Sequence, residues 1–136
     1  MIVIEVRDAE LIADLERQLA AEGVVSGAIV SLIGAVDSFT ISTMPAHNAS
    51  ADIVTEYGQP AEMHGTGEIV DGKAHIHATM AVEGDRGIAG HLHRAQVGYW
   101  FARVYVEPLD LWHRVGSRGW GRGGLGGRGG GGCRRS

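Results

Sequence analysis

Short β-branched runs separated by turn residues fill most of the first 110 positions, and one stretch near the start has helical spacing instead. The chain opens with Ile2-Val3-Ile4-Glu5-Val6, a strand by composition. Leu11, Ile12, Leu15 and Leu19 then form an apolar stripe with Asp14, Glu16, Arg17 and Gln18 off it, which predicts a helix. Asp8 is the expected N-cap, Glu10 sits near the positive helix end, and Gly23 closes the helix in the left-handed region. Val24–Thr43 reads as two strands joined near Val36-Asp37-Ser38, with bends or bulges at Gly27 and Gly34. A loop over residues 44–50 leads to strands at Ala51–Tyr57 and Ala61–Val70. Asp71-Gly72 is a two-residue hairpin signal, and Glu83-Gly84-Asp85 a second turn. Gln96–Glu107 is the last long strand, with Tyr99, Phe101 and Val104 packing and Pro108 ending it. These elements predict an α+β domain, a mainly antiparallel β-sheet with one helix in the N-terminal half.

The chemistry is concentrated in Lys73–Arg94, KAHIHATMAVEGDRGIAGHLHR, which holds four of the seven histidines. On a strand, residues i and i+2 share a face, so His75 with His77, and His91 with His93, each present two imidazoles together. A hairpin symmetric about Gly84 sets His77 opposite His91 and His75 opposite His93. Neutral imidazoles converging in this way suit a divalent transition metal such as zinc. Two half-exposed polar residues on a solvated strand are the ordinary alternative for one pair, and opposition of two pairs argues against it. Gly87 and Gly90 are expected to break the second strand and leave His91 on a bend rather than in ladder register. His47 lies in the loop and reads as solvated. Glu56, Glu62 and Glu68 read as solvated strand residues, any one of which could act as a general base beside a metal site.

Composition narrows the function. With 136 residues and 44% apolar content, one domain can bury a core, and no apolar run is long enough to span a membrane. The N-terminal residues lack a basic start followed by an apolar stretch, and Cys133 is the single cysteine, so a cytoplasmic protein is expected. After Val115 come five arginines and no acid, which leaves the first 115 residues with a formal charge of −9 against −4 for the whole chain. An acidic body suits phosphate backbones poorly, and only the tail is cationic. Residues 1–110 are therefore read as the folded domain, and 111–136, rich in glycine and arginine, as a tail expected to be disordered. Nucleotide-binding glycine loops and a nucleophile-elbow GxSxG are absent from the sequence.

The run VVSGAIVSLIGAVDSFTIS, then Ala61-Glu62-Met63, Gly67, HIHA at 75–78 and AGHLHRAQV at 89–97 together resemble the PPC ("plants and prokaryotes conserved") domain, over roughly residues 2–107. The resemblance implies an α+β domain, a homotrimer, and histidines that hold a metal ion in prokaryotic single-domain members. Its His-x-His falls on His75 and His77, and its Gly-His-Leu histidine on His91. His93 is extra here and is the candidate fourth ligand. Ala89 stands where a glycine is usual, and Met63-His64-Gly65 replaces an apolar-serine-leucine segment, which brings His64 near the sheet face. Plant relatives carry AT-hooks beside the domain. The tail here has Trp120-Gly121-Arg122-Gly123 without the hook's proline, so DNA contact through it would be nonspecific. Three functions follow: a trimeric zinc-binding protein, with or without a metal-assisted active site between subunits; a DNA-associated regulator; or a structural assembly module.

Overall fold

A computed structural model of the chain, described over residues 1–109, has nine strands and one helix. The strands are β1 (Ile2–Val6), β2 (Ala9–Glu10), β3 (Gly27–Val36), β4 (Ser38–Thr43), β5 (Ile53–Tyr57), β6 (Ala61–Val70), β7 (Lys73–Val82), β8 (Arg86–Val97) and β9 (Ala102–Pro108), and α1 spans Leu11–Ala21. They form one antiparallel sheet in the order β1-β9-β3-β6-β7-β8-β4-β5, with β2 paired to β8. This is the α+β architecture that the residue pattern predicts. The tail expected at 111–136 lies outside the described residues.

Helix α1 lays Leu11, Leu15 and Leu19 on one face of the sheet, where all three are buried in one core with residues such as Val6, Ile76 and Leu92. Most strand residues that point toward the helix are thereby removed from water, which is the main stabilising contribution. The opposite sheet face carries no helix among the described residues. Strands β6 and β7 show the split plainly: Met63, Ile69, Ile76, Ala78 and Met80 are buried, while Glu62, His64, Thr66, His75 and His77 alternate with them on the exposed side.

The hairpins fall where the turn residues require. Asp71 and Gly72 both have positive φ, 51° and 74°, the pair of values a type I′ turn demands, and they join Val70 to Lys73. Gly84 and Asp85 are also in the left-handed region, and Val82 pairs with Arg86 around them.

Four expectations are corrected. The helix N-cap is Glu10, not Asp8: the Glu10 carboxylate accepts from the backbone N–H groups of Ile12 and Ala13, while Asp8 turns the chain with φ 46°. A longer side chain starting one short strand later can reach both orphan donors. Gln96–Glu107 is not one strand, because Gln96 and Val97 complete β8 and residues 98–101 are a connection before β9. Tyr99 is consequently 83% exposed rather than packed, although Val104 is fully buried. Gly87 and Gly90 leave β8 continuous; the irregularity is a bulge against β4, between the pairs Thr40↔Arg94 and Ile41↔Leu92. The fourth concerns the fifth strand, which begins at Ile53 rather than Ala51.

Candidate metal centre

The site is built on the uncovered face by three adjacent strands. Register around the Glu83–Asp85 turn sets His77 directly opposite His91. His75 lies one outward position further along β7, opposite Glu68 of β6. The three rings meet edge to face or tilted, with centroids 4.9 Å apart for His75–His77, 4.9 Å for His75–His91 and 5.7 Å for His77–His91. One ring nitrogen from each lies within 4.8 Å of the other two. Tetrahedral zinc with Zn–N bonds of about 2.0–2.1 Å needs nitrogens about 3.3 Å apart. Half-exposed imidazoles close that gap by side-chain rotation without moving the strands, so the donor set fits a three-histidine site with a fourth position open.

His93 takes a different place. The paired positions of β7 and β8 stop at His77↔His91, and β8 continues beside β4. His93 is the extra residue of the bulge, so the expected His75–His93 opposition does not form. Its ring touches His91, with centroids 4.6 Å apart, but its Nε2 lies 2.7 Å from the Ser42 hydroxyl. It stands next to the group of three, outside the set of converging nitrogens. His64 lies on the same face, opposite Thr79, and His47 is exposed in its loop.

Electrostatics favour the ligating form. Burial holds the His91 pKa below the usual histidine value; the neighbouring His93, His75 and His77 push the same way, and Asp52 opposes them. A lowered pKa keeps the ring neutral, as ligation requires. Glu68 Oε1 lies 3.4 Å from His75 Nδ1, an outer carboxylate of the kind that fixes ring orientation and tautomer. By sequence alone Glu68 is an ordinary solvated strand residue. The signal was available in the Asp71-Gly72 turn, because its two-residue loop fixes Glu68 opposite His75.

The profile of the Plants and Prokaryotes Conserved (PCC) domain, the family abbreviated PPC above, matches residues 1–110. The chain belongs to this family. Among curated proteins no match is found. Solved structures show the same fold across species. A protein of Ralstonia eutropha JMP134 whose name proposes DNA binding has a TM-score of 0.68 at 23% identity, over 79% of this chain and 77% of that one. A plant- and prokaryote-conserved protein of Pyrococcus horikoshii gives 0.68 at 19%, over 79% and 78%. A metal-containing protein of Archaeoglobus fulgidus gives 0.62 at 24%, over 79% of both chains. At these identities the likeness carries the PCC fold, and the chemistry rests on the residues of this chain.

Proposed function

We propose that this PCC domain binds one divalent transition-metal ion, zinc foremost, through His75, His77 and His91. The observation that carries the reading is the convergence of three ring nitrogens within 4.8 Å on one uncovered sheet face. A metal-containing relative of the same fold supports it. Zinc held by three imidazoles with a free fourth position supplies Lewis acidity, so the site is suited to metal-assisted chemistry on a small substrate. His75 would be oriented by Glu68, and His91 kept neutral by burial. His93 is held in reserve by Ser42 as the fourth imidazole. Elemental analysis of protein dialysed with zinc tests this: one ion per chain is expected, and none would overturn it.

The reading includes a homotrimer of cytoplasmic protein, the number three coming from the family resemblance. Its physical support is apolar exposure on the face away from α1: Ile33 is 55% exposed and Trp100 57%, and both line a cavity of about 640 Å³ with Phe101. A partner subunit seated over Ile33, Trp100 and Phe101 removes this surface from water. Among the described residues no helix is long and apolar enough to cross a membrane.

DNA association is the second reading, favoured by five arginines after Val115 and by the name of the Ralstonia relative. The −9 carried by the rest of the chain confines any such contact to the tail. Truncation at Gly116 is therefore expected to abolish DNA binding in a salt titration, and sequence-specific binding by the truncated protein would reverse the ranking.

A further inference from the structure

A concavity of about 630 Å³ opens on the uncovered face beside the imidazole cluster, and His77 belongs to both. That volume is in the range of small-molecule sites, about 300–1,000 Å³. Its shape follows from residue size. On β8 the outward position opposite Thr79 holds nothing larger than Ala89. Around this low floor stand Ser31, His64, Thr66, His77 and Thr79. Register sets His64 opposite Thr79 and Thr66 opposite His77, so the hydroxyls and imidazoles alternate around one patch.

The lining is polar and carries no acid among the described residues. Three hydroxyls and two imidazoles can all donate hydrogen bonds, and no aspartate or glutamate lines the concavity. In a chain whose first 115 residues carry −9, a concave patch free of carboxylates can receive ligands with anionic acceptor oxygens without like-charge repulsion from its own lining. Among the described residues His64 is also the one histidine on this face that neither the group of three nor the Ser42 contact uses.

We propose that this concavity is the ligand side of the cluster, a subsite for a small oxyanion, carboxylate or phosphate, held by His64 with Ser31, Thr66 and Thr79. An oxyanion seated there would lie next to His77 and could extend toward the ion bound by His75, His77 and His91. The subsite builds on the metal reading for its chemistry, while its own hydrogen-bonding groups are present without an ion.

The test uses full-length protein, zinc-loaded and chelator-stripped, titrated separately with inorganic phosphate and with acetate. Calorimetry gives affinity, and side-chain nitrogen NMR of labelled histidine reports the His64 ring directly. One of the two anions is expected to bind and to shift the His64 resonances; which one binds separates phosphate from carboxylate ligands. His64→Ala should weaken binding about tenfold, the usual result of removing one hydrogen bond to a charged group, with zinc content unchanged. Ala89→Leu should block the concavity in a protein that still holds zinc. Absence of zinc from the wild type would defeat the metal reading alone, and the stripped-protein titration would still judge the subsite. If neither anion binds either form, or if both variants bind as the wild type does, the subsite is wrong.

Discussion

Glu10 and Ala95 are 85 residues apart in the chain and joined by a single hydrogen bond: Oε1 of Glu10 accepts from the Ala95 backbone N–H at 3.1 Å. The same carboxylate caps α1 through Ile12 and Ala13, at 3.2 and 2.8 Å. One side chain therefore starts the helix and ties it to the strand that carries His91. Replacing Glu10 with Ala should cost about 1–2 kcal/mol, the range for loss of a strong cap. Asp8→Gly should not destabilise, since Asp8 caps nothing and has positive φ. Urea denaturation of the two variants checks both.

His77→Ala should remove stoichiometric zinc and leave the melting curve of the metal-free protein nearly unchanged, because the side chain is exposed. Glu68→Gln should keep one ion per chain but weaken zinc affinity about tenfold, the low end for an outer-shell partner. Competition with a zinc chelator measures the difference. Equal affinity in Glu68→Gln and wild type would mean that the 3.4 Å contact with His75 has no role in binding.

Gly67 is a point of close approach between β6 and β7. A Cβ built there would collide with the His75 carbonyl oxygen and lie 3.0 Å from Ile76 Cα, both backbone atoms that cannot rotate aside. Gly67→Ala should therefore destabilise by about 2–3 kcal/mol, the upper part of the range for overpacking. It should also lower zinc affinity, because His75 shifts with its own carbonyl. Denaturation and chelator competition on the same sample report the two effects.

The acid dependence of the metal-free protein follows from His91. Its folded pKa is depressed, first by burial, so its protonation favours the unfolded chain. The stability it contributes is complete above the unfolded value of about 6.5 and is lost as pH falls through the lower folded value. Denaturation midpoints should drop between pH 7.5 and 5.5 in wild type and drop less in His91→Gln. An equal drop in both would assign the acid sensitivity elsewhere.

Ile33→Asp places a charge on the exposed apolar surface of β3. Sedimentation at micromolar concentration should change from trimer to monomer while the fold is kept. A monomeric wild type would remove the assembly from the reading.

Turn chemistry made the centre of the sheet legible in the sequence. Asp71-Gly72 and Glu83-Gly84-Asp85 each set a loop length, and a hairpin's loop fixes the pairs beyond it for as long as its two strands stay neighbours, so His77↔His91 follows from counting. Local signals say nothing of which strands become neighbours across long connections. Adjacent in sequence, β3 and β4 are not paired, since Val36 ends a strand held by β6 and β9 and Ser38 begins one held by β8 and β5. The bulge at His93 arises where β8 changes partner from β7 to β4, a tertiary event with no residue signature of its own. Glu10 displaced Asp8 as cap for a similar reason: its second partner, Ala95, is remote in sequence.

The change of partner along β8 divides that strand's labour. From Arg86 to His91 it is half of a hairpin with β7, made of contacts between near neighbours in the chain. From Leu92 onward it is held by β4, by β2 and by the Glu10 carboxylate, all distant in sequence. Pairing between near neighbours closes small loops and forms early, whereas the remote contacts wait on larger ones. His77 and His91 should thus face each other before the rest of the domain has assembled. A metal ion in the folding medium would then find a partial chelate in a chain that is not yet folded.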